Sequence, residues 1–156
     1  MTFKKRTEKP APMSANAICS CCSGEVKSLE NISDELFPSM FVGDGFCIVP
    51  SNNKFVCPVS GEVKDVSENG FDVTIKTSDE LIVIVSLGRE ENKPIEAEAC
   101  VQRGDIVSVG NELWKTDIND GTLVCAVVVT NCNGKEFKIK YGSVKQPGQP
   151  IMDISV

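Results

Sequence analysis

The sequence predicts an all-β domain, a barrel or sandwich of short strands, on three observations. Short β-branched runs recur roughly every ten residues with Gly, Pro and Asn between them, the spacing of strands joined by tight turns. Several runs alternate faces: in Phe71-Asp72-Val73-Thr74-Ile75 the apolar side chains fall on one side and the polar ones on the other, as a half-buried strand requires. No segment carries an amphipathic helical stripe longer than two turns.

Taken in order, residues 1 to about 14 read as a disordered tail. Lys4, Lys5, Arg6 and Lys9 stand with Pro10 and Pro12 and almost no apolar content, too little to offset the entropy of ordering. Four basic residues without an apolar helical face also make a poor membrane anchor. The folded domain is expected over 15–156. Its first clear strands are Glu25 to Leu29, Phe46 to Val49, Glu62 to Val66 and Phe71 to Ile75. Gly43 and Gly45 around Asp44 permit positive φ and a reversal into Phe46, and Pro50 and Pro58 belong at strand ends, where no ladder donor is lost. Leu81 to Val85 is apolar on both faces and should run through the middle of the fold. Ile95 to Val101 offers one or two helical turns. Leu113 to Thr116, Leu123 to Val129, Phe137 to Tyr141 and Pro150 to Ser155 complete the strands.

An internal echo accompanies this pattern. Ser23-Gly24-Glu25-Val26-Lys27 recurs word for word as Ser60-Gly61-Glu62-Val63-Lys64, each time at the start of a strand after a turn. Arg103 to Leu113 is a looser, Gly-punctuated relative. A duplicated hairpin architecture is expected.

Composition removes whole classes of function. A net charge of -6 argues against nucleic acid, whose phosphates need a basic face. The 156 residues contain no histidine, so Ser-His triads, Cys-His dyads, His-rich zinc sites and phosphohistidine are all excluded from this chain. Eight cysteines without an apolar leader at the N-terminus point to reduced thiols and a cytoplasmic location. The longest apolar runs, Leu81 to Val85 and Cys125 to Val129, fall far short of the ~20 residues that span a bilayer. Cys19-Ser20-Cys21-Cys22 holds one Cys-x-x-Cys, but Cys47, Cys57, Cys100, Cys125 and Cys132 supply no second pair at matching spacing, so no metal is expected. Such thiols act as small apolar fillers in strands.

Three stretches resemble a known family. Met40-Phe-Val-Gly43-Asp44-Gly45-Phe-Cys-Ile-Val-Pro50 resembles a Val-Gly-Asp-Gly-x-Ala-Ile-x-Pro signature, Lys54 to Val63 resembles an Ala-Pro-x-x-Gly hairpin, and Val101 to Leu113 is similar to a Gly-x-x-Val-x-x-Gly-x-x-Leu element. The first strand, Ile18 to Val26, and Gly142 to Val144 with Pro150 and Ile151 fall in the same register. Over about residues 15–156 the chain thus resembles the glucose-type IIA domains of the bacterial sugar phosphotransferase system. The resemblance implies a barrel-sandwich hybrid fold, a duplicated hybrid motif of short antiparallel strands.

It also implies where the chemistry would sit. Members of the family accept a phosphoryl group on one histidine beside a second, in a shallow apolar cleft. The alignment puts Asn69 and Ser86 at those two positions, across a loop between Gly61 and Phe71 that is two residues shorter. A serine ester is too stable to hand its phosphate onward easily, so no catalytic residue and no cofactor are expected. Phe37, Met40, Phe41, Val42, Val85 and Leu87 match the family's apolar docking rim. The expectation is a protein-binding or regulatory relative of the glucose-specific component, with a phosphocarrier or a transporter IIB domain as candidate partners. The alternatives are an active component with Ser86 or a cysteine as acceptor, and a biotinyl- or lipoyl-type carrier with its lysine near Asn52-Asn53-Lys54.

Overall fold

The computed structural model of the protein describes residues 17–31, 43–132 and 135–154. Its strands are β1 (Ala17–Cys19), β2 (Gly24–Ser28), β3 (Asp44–Pro50), β4 (Phe55–Val56), β5 (Gly61–Val66), β6 (Asp72–Lys76), β7 (Ile82–Arg89), β8 (Ala97–Ala99), β9 (Ile106–Val107), β10 (Glu112–Thr116), β11 (Leu123–Val129), β12 (Phe137–Ile139), β13 (Gly142–Val144) and β14 (Pro150–Ile154). Helical structure among the described residues is confined to 3-10 turns at Leu29–Asn31 and Glu90–Asn92. The strands pair antiparallel in one eight-stranded sheet, ordered β13-β2-β3-β11-β7-β6-β5-β9, and two three-stranded sheets, β1-β14-β12 and β4-β10-β8. The all-β reading holds. The tail over residues 1–14 lies outside the described residues.

The two runs that are apolar on both faces take inner positions in the large sheet. β11, buried along its whole length, lies between β3 and β7, and β7 lies between β11 and β6. A strand flanked on both edges and covered on both faces offers no place for a charged side chain. On one face Phe46, Ile48, Val73, Ile75, Val83, Val85, Leu87, Cys125 and Val127 join the hydrophobic core. That core also takes in Phe55 and Trp114, whose rings meet edge to face at 5.9 Å. The Trp114 Nε1 donates to the Gly70 carbonyl at 2.7 Å, so the indole is buried without an orphan donor.

The echo in the sequence is an echo in space. Gly24 opens β2 and Gly61 opens β5, and a Cβ on either would lie 2.1 Å from the Val49 carbonyl oxygen or 2.2 Å from that of Lys76. Two residues on, Val26 and Val63 both point into the core. Glycine is demanded at the same place in both copies because a neighbouring backbone passes too close for any side chain.

Three local expectations are corrected. Ile95 to Val101 is not helical: it contributes β8, paired with β10 through Trp114↔Ala99 and Thr116↔Ala97, and the run Ile95-Glu-Ala-Glu-Ala-Cys-Val101 indeed repeats with period two. The first strand is broken into β1 and β2 by Ser20 to Ser23, a turn whose backbone is held by other segments: the Val56 amide donates to the Cys21 carbonyl and the Gly148 amide to that of Ser20. Of the two glycines around Asp44, Gly43 takes a positive φ of 151°, whereas Gly45 is ordinary strand backbone and is small because Val127 passes against it.

Candidate functional site

Ser86 sits near the middle of the large sheet on the face opposite the core. The ladders set it opposite Asp72 on β6 and Ala126 on β11. Ala126 in turn faces Cys47 on β3, and Cys47 faces Lys27 on β2. The result is a row across five strands, Asp72-Ser86-Ala126-Cys47-Lys27, with small side chains in the centre and a charge at each end. Ser86, Ala126 and Cys47 are buried, as are Val124 and Val128 on the same face. Ile82 and Ile84 flank them half-buried.

The hydroxyl at the centre of this row is buried. Ser86 is 1% exposed, and among the described residues its Oγ has no hydrogen-bond partner. A serine becomes a nucleophile when a base takes its proton, and no base among the described residues accepts from this one. The neighbouring thiol is no better placed: burial pushes Cys47 up to about 11, against the opposing pull of the Lys27 charge. Its Sγ lies 3.6 Å from the carbonyls of Lys27 and Ser28, as a donor. At neutral pH it is a protonated filler, not a thiolate.

Asn69, the other position picked out by sequence, stands at the tip of the β5–β6 turn and is exposed. Its Oδ1 accepts from the Phe71 amide at 2.9 Å and from the Ser67 hydroxyl at 2.7 Å. This is an Asx turn, a local structural use of the side chain. The backbone brings the two regions together, since the Leu87 amide donates to the Phe71 carbonyl. No hydrogen bond among the described residues joins the Asn69 side chain to Ser86.

The docking rim expected from sequence divides. Val85 and Leu87 are not rim residues: at 0% and 3% exposure they point into the core, one position to either side of Ser86. The reason is the pleat, which sends neighbouring residues of a strand to opposite faces. Phe37, Met40, Phe41 and Val42 lie outside the described residues. Asp72 and Ala126 carry no mark in the sequence, because their distinguishing property is cross-strand register with Ser86. Among the described residues no group of three or more His, Cys, Asp or Glu is arranged to hold a metal, and no helix is long and apolar enough to cross a membrane.

Comparison with known proteins adds to this geometry. The family model for the phosphoenolpyruvate-dependent sugar phosphotransferase system, EIIA 1, matches residues 16–135. The chain is 29% identical over 133 residues to the glucose-specific EIIA component of Mycoplasma capricolum, covering 80% of this chain and 86% of that protein. It is 27% identical over 158 aligned positions to the glucose-specific EIICBA component of Staphylococcus carnosus, covering 95% of this chain but 23% of that protein. It likewise spans 22% of a lactose permease of Lactobacillus delbrueckii, at 26% identity. Among solved structures, the glucose permease IIA from Mycoplasma capricolum superposes with a TM-score of 0.74 at 25% identity, covering 87% of this chain and 93% of that one.

Proposed function

Because the chain belongs to the EIIA 1 family of the phosphoenolpyruvate-dependent sugar phosphotransferase system, we propose that it is a relative of the glucose-specific IIA component that does not relay phosphate and acts instead by binding a protein partner. One observation carries this reading. The sequence contains no histidine, and at Ser86, the position that matches the family's acceptor, the hydroxyl is buried with no partner among the described residues to take its proton. Phosphoryl transfer depends on positioning and on charge stabilisation around the transferred group. A sealed hydroxyl between Ala126 and Asp72 supplies neither. The raised Cys47 thiol argues equally against a cysteine acceptor.

The partner-binding positions in this reading are Phe37, Met40, Phe41 and Val42, the part of the apolar docking rim that the sequence supplies. The partner would be a protein of the same system, a phosphocarrier or a transporter IIB domain, met in the cytoplasm. The deciding experiment is an intact mass spectrum after incubation with phosphoenolpyruvate, the first enzyme of the system and its histidine phosphocarrier. An unchanged mass is expected. Gain of one acid-labile phosphoryl group would overturn the reading.

A further inference from the structure

Two strand edges away from the face around Ser86 carry opposite charges at matched spacing. β8 is an edge strand of the β4-β10-β8 sheet, and β12 is an edge strand of the β1-β14-β12 sheet. Their ladders show which backbone groups face outward. The Cys100 amide donates to the Leu113 carbonyl, and the register sets Ala97, Glu98 and Ala99 opposite Thr116, Lys115 and Trp114. Antiparallel pairs alternate between bonded and unbonded. The backbone of Glu98 is therefore turned toward β10, and the N–H and C=O groups of Ala97 and Ala99 point away from the sheet. On β12 the Lys140 amide donates to the Ile151 carbonyl and Lys138 stands opposite Asp153, which leaves the backbone groups of Phe137 and Ile139 pointing outward. Among the described residues no strand and no backbone hydrogen bond fills either outer edge.

One antiparallel register between the two edges uses all four of these outward residues: Ala97 bonded to Ile139 and Ala99 bonded to Phe137. That register sets Glu98 directly opposite Lys138 and Glu96 opposite Lys140. These fall at the unbonded pairs, whose Cα atoms come within about 4.5 Å. All four charged side chains are exposed, and the ion pairs among the described residues involve none of them. With Lys115 beyond Glu98 and Asp153 beyond Lys138, the signs alternate across the joined strands. On the other face the two small alanines receive Ile139 and Phe137, the latter 37% exposed. Like edges repel: β8 laid on β8 sets Glu98 against Glu98, and β12 laid on β12 sets Lys138 against Lys138. The chain's own β8 and β12 belong to separate sheets, so the matching edge is that of another copy.

We infer that the protein associates with a second copy of itself by strand addition, β12 of one molecule running antiparallel along the β8 edge of the next, with Glu98 facing Lys138 and Glu96 facing Lys140. Main-chain hydrogen bonds supply the attachment and the charges select the edge. The pairing does not depend on whether the chain relays phosphate. Because the strands are short, the contact lies at the weak end of the range for specific interfaces, and because its charges are exposed it is sensitive to salt. It joins different strands of the two molecules, so the association is head-to-tail.

The test is sedimentation velocity on the full chain over a range of protein concentrations at low ionic strength. Species larger than the monomer should grow with concentration and recede as salt is added. Glu96→Lys with Glu98→Lys, or Lys138→Glu with Lys140→Glu, should each weaken self-association by about tenfold or more. An equimolar mixture of the two double variants should recover it, because the basic β8 of one then meets the acidic β12 of the other. Register is read separately by cross-linking in a Cys100→Ser background, Cys100 being the exposed thiol. Under mild oxidation, chains carrying Glu98→Cys should form a disulfide with chains carrying Lys138→Cys, and should not with chains carrying Ile139→Cys, whose side chain lies on the opposite face. A monomer at every concentration, association undiminished in either charge variant, a mixture that fails to recover it, or cross-linking indifferent to position would each overturn the inference.

Discussion

Ser86 and Asp72 face each other directly across the β6–β7 ladder, yet the Ser86 hydroxyl makes no hydrogen bond to the Asp72 carboxylate or to any other group among the described residues. A base one strand away is therefore not a base in contact. An orphan hydroxyl in a buried site loses its hydration without compensation, a penalty of about 1–3 kcal/mol. Ser86→Ala is expected to leave stability unchanged or raise it by about 1 kcal/mol, measured by urea unfolding. A loss above about 1 kcal/mol would mean that the hydroxyl is bonded after all.

The duplicated glycines make a paired prediction. Gly24→Ala and Gly61→Ala each drive a methyl into a neighbouring carbonyl oxygen at 2.1 Å and 2.2 Å. Each should cost about 1–3 kcal/mol of stability, with Gly24 the worse of the two because its φ of 149° also disfavours a side chain. Equal tolerance of alanine at both positions would contradict the shared geometry.

The pleat separates two kinds of mutant. Leu87→Ala removes a core side chain and should destabilise by about 2–5 kcal/mol, lowering the unfolding midpoint whether or not a partner is present. Phe41→Asp should instead weaken capture of the partner while the midpoint stays put. Unfolding of the Phe41 variant would move that residue from the docking face to the core.

Acid should expose one carboxylate. Hydrogen bonds from the Thr122 hydroxyl and amide hold Asp120 at about 2 against the opposing effect of desolvation, with a lesser contribution from the Arg89 guanidinium 2.9 Å away. A carboxyl lowered in the folded state contributes stability that is complete above its unfolded value near 4 and is lost as pH falls through about 2. Asp120→Asn should therefore flatten the pH dependence of the unfolding midpoint between about pH 4 and 2 and leave it unaltered near neutrality apart from a constant offset. The effect is modest, because the group is exposed and screened by solvent.

Much of this protein is legible without coordinates. The alternation in Phe71 to Ile75 marks β6, the two-faced apolar runs at Leu81 to Val85 and Leu123 to Val129 mark inner strands, and the repeated Ser-Gly-Glu-Val-Lys marks a structural duplication. Each is a local pattern, and side-chain direction along a single strand is local physics. The absence of histidine settles the exclusion of imidazole chemistry in the same direct way. Tertiary structure alone decided which side of β7 meets the core, and so that Val85 and Leu87 are packing residues while Ser86 belongs to the opposite face. It also decided that Asp72, Ser86, Ala126, Cys47 and Lys27, scattered along the chain, form one row. The physical reason is register: a strand that is apolar on both faces carries no mark of which face is inner, and a shift of one residue against its neighbour would exchange them all.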